Sequence, residues 1–274
     1  MVEKNEKTST TFEHFIDEKA EIGENVKIYP NVYVLGDSKI GDGTILFPNT
    51  TIENSVIGKN CIIKACEIEN STIGDSGEIK NSEIEASTIS DNCRIKESDI
   101  EGSTIGENCK INGSEIEKTE IGKFNEIKSS YIEESVVKNN VNVGPFAHLR
   151  PNSLVSDYCK VGNFVEIKNA KLGTNTKASH LAYVGDADVG ANCNIGCGAI
   201  FVNYDGVNKH RSVVEDDCFI GSNCNVVAPV HIKKGSFICA GTTITVDTNE
   251  DDFVIGRCRE TIKNNRAHLY LGKK

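Results

Sequence analysis

The sequence contains no tryptophan and one methionine, and aromatic residues make up only 6% of it, so any core must be built from aliphatic side chains. No run approaches the ~20 apolar residues that a helix needs to cross a bilayer. The opening segment MVEKNEKTSTTFEHFIDEKA is polar and lacks the apolar stretch of a secretory signal, so a cytoplasmic location is expected. Positive charge is in deficit too. There are 30 Lys and Arg against 40 Asp and Glu, a net charge of −10, which argues against general nucleic-acid binding and against attraction to anionic membranes. That balance still allows a local basic pocket for a phosphate. There is no CxxC pair and no HxxxxH pair, so neither a zinc site nor a metal-dependent solenoid enzyme is expected. The 11 cysteines, an odd number spread over 274 residues, do not resemble a small secreted disulfide framework.

What the chain does have is a repeat. From Ile63 the aliphatic residues fall at 63, 68, 73, then 79, 84, 89, then 95, 100, 105, and so on to Val143, in steps of 5, 5 and 6. Ile22, Ile28, Val34 and Ile40 upstream are six apart, as are Val143, Leu149, Val155, Val161 and Ile167 downstream. Helical stripes recur at three and four, and half-buried strands at two. Steps of five and six fit neither. They fit a coil of three short strands joined by tight turns, each strand pointing one aliphatic side chain at a common axis. Gly follows the aliphatic residue at Ile22, Ile40, Ile57, Ile73 and eight later positions, as such turns favour. About thirteen coils at the strand spacing of roughly 4.8 Å make a prism about 60 Å long. The spacing predicts an all-β parallel β-solenoid, a triangular prism.

Eight cysteines (Cys61, Cys66, Cys93, Cys109, Cys159, Cys193, Cys218 and Cys224) stand two residues before a repeat position and should share its inward side as small apolar residues. Cys197, Cys239 and Cys258 fall outside that pattern. Residues 1–20 read as a cap or tail, 21–142 as regular coils with a solvated charged surface, and 143–256 as coils carrying irregularities. Residues 257–274 read as a terminal arm. The segment Phe201 to Asp217 is too long and polar for one turn and is expected to loop out of the prism. At one repeat position, in KASHLAYVGD, an alanine replaces the large aliphatic: Ala178, followed by Ser179, His180 and then Tyr183.

In order along the second half stand GPFAHLRP, VGNFVEIKNAKLG, SHLAYVGDADVG, NIGCGAIFVNYDGVNKH and APVHIKKGSFICAGTTIT. From about Val141 to Arg266 they closely resemble the acetyltransferase half of the bifunctional N-acetylglucosamine-1-phosphate uridyltransferase/glucosamine-1-phosphate N-acetyltransferase family. The resemblance implies a left-handed β-helix built of hexapeptide repeats, against the usual right-handed crossover. It also implies a homotrimer with sites between subunits, and acetyl transfer from acetyl-CoA to the amine of glucosamine 1-phosphate, on the route to UDP-N-acetylglucosamine. His180 matches the family's general base and Glu166 a carboxylate near it. Arg150, Lys168, Tyr183 and Asn194 match residues that hold the sugar phosphate. Asn203, Tyr204, Ser222, Ala240 and Arg257 match acetyl-CoA contacts, and Cys197 stands where an alanine touches the cofactor through its backbone.

The chemistry is consistent with those roles. An amino sugar arrives largely as an ammonium, and imidazole is the side chain that exchanges a proton near neutral pH. Glu166 is expected to fix the tautomer of His180, and Arg150 with Lys168 to meet the phosphate. No metal is expected for the transfer. Departures from the family pattern are His148 for an arginine, cysteines at 197 and 239, RCRE at the start of the arm, and repeats that already begin at Ile22. No uridyltransferase activity is therefore expected, and a separate nucleotidyltransferase is a candidate partner. Two alternatives stay open: acyl transfer to another amino sugar or sugar nucleotide, and a non-catalytic solenoid assembled with a nucleotidyltransferase.

Overall fold

The computed structural model describes residues 13–272. It is an all-β, left-handed parallel β-helix of about 14 turns. Each coil has three sides, here faces A, B and C, and each face is a ladder of parallel strands. On face A, Ile63, Ile79, Ile95, Ile111, Ile127, Val143, Val161, Ala178 and Ile195 stand in register. On face B the corresponding series is Ile68, Ile84, Ile100, Ile116, Ile132, Leu149, Ile167 and Val184. Face C, a 13-stranded sheet, stacks Ile57, Ile73, Ile89, Ile105, Ile121, Val137, Val155, Leu172 and Val189. All are buried and form one core along the axis, so the periodicity fixed the three ladders correctly.

Corners are made by residues in the left-handed region. Asn54, Asn60, Asn70, Asn81, Asn92, Asn108 and Asn140 all have φ between 46° and 61°. Asparagine enters that region more readily than other residues with a Cβ. Between corner and inward aliphatic residue, small polar side chains stitch one coil to the next. The Ser87 hydroxyl accepts from the Ser103 N–H at 3.0 Å and donates to the Glu85 carbonyl at 2.7 Å. Ser71 does the same with Ser87 and Glu69. These bonds satisfy backbone groups that would otherwise be orphaned at the bends.

The eight cysteines assigned to the inward side are all buried, as is Cys239, whereas Cys197 and Cys258 are exposed. The thiols of Cys61, Cys93 and Cys109 each lie 3.1 Å from a glycine carbonyl of the neighbouring coil. Burial pushes the Cys159 thiol up to about 11, which keeps it protonated.

Two observations adjust the expected boundaries. Phe15–Ile16 already pairs in parallel with Val32–Leu35, so the ladder begins within the segment read as a cap, whose first twelve residues lie outside the described ones. The expected loop is shorter than Phe201 to Asp217. Phe201 is a buried face B residue in the strand Ile200–Val202, and Ser212–Val214 rejoins face C, leaving residues 203–211 as the excursion. Beyond Phe253–Val254 the arm holds no strand among the described residues, only a 3-10 turn at Ala267–Leu269. No helix among the described residues is long and apolar enough to cross a membrane.

Candidate active site

The regular coils give face A two residues after its inward aliphatic before the chain turns: after Ile95 come Lys96 and then Glu97, which makes the corner at φ 51°. From Val143 onward there are three. After Ala178 come Ser179, His180 and then Leu181 at φ 30°; after Val161 come Gly162, Asn163 and then Phe164 at φ 58°. The added residue occupies a position that the coils from Ile63 to Ile127 lack; the two coils before them fill it with Pro30 and Pro48. Register stacks these additions in one column of Asn163, His180, Cys197, Ser222 and Ala240 along a single edge of the prism. Backbone bonds run between its layers, from Asn223 N to Cys197 O and from Gly241 N to Ser222 O, both at 2.8 Å.

Two strands make this edge unusual. Lys160–Lys168 and Lys177–Gly185 each run nine residues through the corner, joining faces A and B into one 26-stranded sheet. Gly162 permits their close approach, because a Cβ there would lie 1.8 Å from the Ser179 carbonyl oxygen. The pairing sets Asn163 beside His180 and Glu166 beside Tyr183. His180 is exposed, and its Nδ1 lies 3.0 Å from Asn163 Oδ1. With the proton on Nδ1 donated to the amide oxygen, the Nε2 lone pair is left to accept one.

Glu166 does not orient His180. It lies past the corner at Phe164, on face B, and accepts from Arg150 Nη1 at 3.1 Å. The partner of the histidine is Asn163, which the sequence reading missed. Arg150, Lys168 and Gly185 follow one another in the next column of face B. Arg150 Nε is buried and has no hydrogen-bond partner, a donor without an acceptor. Lys168 is half-buried. The Tyr183 ring lies over Gly185, where a Cβ would come 2.4 Å from the phenol oxygen. Burial pushes the Tyr183 phenol upward, and an N–H of Asn203 at 3.4 Å opposes this. A groove of about 460 Å³ opens here between Phe164, Glu166, Leu181, Tyr183, Ile200 and Asn223.

At the far end of face B a buried carboxylate, Asp186, accepts from the side-chain amides of Asn169 and Asn203. This pins the base of the 203–211 loop. Arg211 ties down its other end with two bonds to Asp188, at 2.6 and 2.7 Å, and bonds to the carbonyls of Asn169 and Ala187. Within the loop, Asp205 is held down at about 2 by the amides of Asn208 and Val207 and by His210. Tyr204 is exposed and donates to the Gly206 carbonyl at 2.6 Å.

Of the other expected residues, Asn194 is half-buried on face A beside Lys177. Exposed Arg257 donates to the Ala240 carbonyl at 2.8 Å, so the arm reaches back onto the same edge. His148 is engaged locally, its Nε2 3.2 Å from Glu133 and its ring 5.0 Å from that of Tyr131. The structure thus brings His180, Cys197, Ser222, Ala240 and Arg257 to one edge and Glu166, Arg150, Lys168 and Tyr183 to the adjoining face. Asn203 and Tyr204 sit at the loop beside it.

Comparison with family profiles agrees with this architecture. The family profile for bacterial transferase hexapeptide (six repeats) matches residues 19–54, and that for the hexapeptide repeat of succinyl-transferase matches residues 212–246. The bifunctional protein GlmU of Caldicellulosiruptor saccharolyticus is 58% identical over 129 residues, 47% of this chain and 28% of that protein. Its counterpart in Halalkalibacterium halodurans is 47% identical over 265 residues, 95% of this chain and 42% of the relative. Among solved structures, the UDP-N-acetylglucosamine acyltransferase of Francisella novicida is 21% identical with a TM-score of 0.37, covering 65% of this chain and 67% of that one. The chain spans 28% to 42% of the length of the curated relatives it matches. Identity of 47% carried across 95% of its residues shows the relation: the chain is a hexapeptide-repeat relative of the acetyltransferase half of the bifunctional GlmU proteins.

Proposed function

We propose that the chain transfers acetyl from acetyl-CoA to the amine of glucosamine 1-phosphate, as a homotrimer in the cytoplasm with its sites between subunits. The observation that carries this reading is the column of Asn163, His180, Cys197, Ser222 and Ala240. In this reading His180 is the base, and the members beyond it, Cys197, Ser222 and Ala240, offer small side chains and backbone. An extended thioester laid along that edge brings its carbonyl to His180. Cys197, Ser222 and Ala240 supply backbone contacts, with Asn203, Tyr204 and Arg257 at the flanks.

Across the corner, Arg150 and Lys168 meet the sugar phosphate, and the unpartnered Arg150 Nε gains the acceptor it lacks. Tyr183 and Asn194 hold the sugar. Asn163 keeps the Nδ1 proton of His180 in place, so Nε2 takes the proton from the sugar ammonium. The freed amine attacks the thioester carbonyl, a C–N bond forms, and the C–S bond breaks. The leaving thiolate takes the proton from the imidazolium, and the new amide nitrogen releases its second proton to water. Glu166 acts through Arg150, holding the guanidinium in position. No metal takes part in these steps.

An acceptor screen tests the reading, with release of free CoA followed colorimetrically on wild type and His180→Ala. Glucosamine 1-phosphate should be the best acceptor, and His180→Ala should lower turnover by about two to four orders of magnitude. An unchanged rate removes His180 from the mechanism. Preference for another amino sugar redirects the substrate, and no release with any acceptor favours a non-catalytic solenoid.

A further inference from the structure

The corner between faces B and C, at the far end of face B from His180, carries a short ladder of side chains. Asn152, Asn169 and Asp186 succeed one another there at φ 63°, 46° and 45°. Asn203 follows, where the chain leaves for the loop. Such a bend admits asparagine as well as aspartate. Where this prism stacks asparagine on asparagine, each amide donates to the next coil along the chain. Asn31 donates to Asn49, and Asn175 to Asn192 at 3.0 Å. An amide in a ladder of this kind turns its oxygen to the earlier coil and its N–H to the later one.

Asp186 breaks that order. A carboxylate only accepts, so Asn169 donates to one of its oxygens from the earlier coil and Asn203 to the other from the later coil. Burying a charge costs more than burying an amide, and the bend itself does not require one. What the acid does is turn Asn203 over. One N–H of Asn203 goes to Asp186 and the other to the Tyr183 phenol at 3.4 Å. Its backbone carbonyl takes the His210 N–H at 2.8 Å. The side-chain oxygen alone has no partner among the described residues, and unlike Arg150 Nε it reaches solvent. The phenol, having accepted from Asn203, keeps its own hydrogen to give.

We infer that Asp186 is a positioning residue for the acceptor sugar: it holds Asn203 with its amide oxygen outward, and that oxygen takes the hydrogen of a ring hydroxyl. A ladder of asparagines alone would turn the Asn203 oxygen inward and its N–H groups outward. The Tyr183 hydrogen would then be drawn to that oxygen and lost to the ligand. In the proposed reaction His180 meets the ammonium and Arg150 with Lys168 the phosphate, so hydroxyls are the donors the sugar has left. Asn203 stands on the far side of Tyr183 from His180, where those hydroxyls lie once the amine is at the imidazole. An outward oxygen with a carboxylate behind it also disfavours an anion, which leaves the phosphate to Arg150 and Lys168.

The inference rests on the proposed function for its ligand, and Asp186→Asn in the full chain tests the two apart. The replacement keeps size and bend, and the asparagine ladders show that the fold accepts it; circular dichroism should find the β-helix intact. The amide at 186 donates as well as accepts, so Asn203 is free to turn over. KM for glucosamine 1-phosphate should rise by the inverse of the fraction left in the original orientation, about twofold or more. Both kcat and the KM for acetyl-CoA should hold. Nuclear Overhauser contacts between the Asn203 side-chain N–H and the Tyr183 ring should weaken in step. Adding Asn169→Asp moves the acid one coil back. The amide at 186 then donates to it and turns its oxygen to Asn203, so KM and the contacts should both return. A ladder that is merely structural predicts that Asp186→Asn changes neither, and that result overturns the inference. So does a folded double variant that recovers neither, or an effect confined to kcat or to acetyl-CoA. A wild type that releases no CoA with glucosamine 1-phosphate sinks the proposed acceptor instead, and the Overhauser contacts then decide the role of Asp186.

Discussion

The coils from Ile57 to Val137 and those from Val143 to Ile244 share one core, one set of ladders and one corner chemistry, yet only the second set carries a site. Much of the difference is one residue per coil on face A. In the regular half a lysine such as Lys96 follows the inward isoleucine and the chain turns at once. In the second half one more residue precedes the turn, and that position holds Asn163, His180, Cys197, Ser222 and Ala240. The candidate site rests on a lengthened side rather than on an added domain. The shorter sides, with no such position, are free to carry charge instead.

Four substitutions or titrations bear on that contrast. The largest effect expected is the loss of two to four orders of magnitude in turnover for His180→Ala, which no replacement of an outward residue in the regular half should approach. Next is Ile100→Ala, a truncation in the fully buried core of the regular half. It should lower stability by about 2–5 kcal/mol in urea unfolding while leaving the turnover of folded protein unchanged. A parallel fall in turnover would mean that the two halves work as one mechanical unit.

Gly162→Ala should cost about 1–3 kcal/mol, because the new methyl group meets the Ser179 carbonyl and must push the His180 strand aside. Turnover should fall with it, whereas Lys96→Ala at the equivalent place in the regular half should change neither. The smallest effect concerns the loop. The Asp205 carboxyl is held at about 2, below its unfolded value near 3.9, so its contribution to loop order is complete above that unfolded value. It is lost as pH falls through about 2. The amide resonances of Val207 and Asn208 should titrate in that window.

Much of this was legible in the sequence. Steps of 5, 5 and 6 specify three ladders, and an inward position two residues before each aliphatic accounts for eight of the nine buried cysteines. The motif resemblance picked out His180 and the Arg150, Lys168 and Tyr183 group that the structure gathers at one corner. The pairing of His180 with Asn163 was not legible, because it depends on a strand that continues through the bend at Phe164 and leaves Glu166 on the other side. Nor was the sorting of charge in the regular coils, acids stacked on face B and bases mostly on face A. ENSTIGDSGEIKNSEIEASTIS reads as mixed acid and base, and its segregation emerges only when residues sixteen apart are stacked.

The bends carry one more consequence. The three inward isoleucines of a coil are alike, so burial alone would accept a chain wound one side out of phase. The residues that precede them differ by face. Faces C and B carry hydroxyls there, Ser55, Ser71, Ser87, Ser103, Thr119 and Ser135 on one and Ser82, Ser98, Ser114 and Ser130 on the other, whereas face A runs Cys61, Gly77, Cys93, Cys109 and Asn125. A hydroxyl that must accept from the N–H of the next coil and donate to a carbonyl of its own finds no match against a thiol or a glycine. The one side without a hydroxyl ladder thus acts as a phase mark, because a chain wound one or two sides out of phase sets its thiols and glycines against hydroxyls.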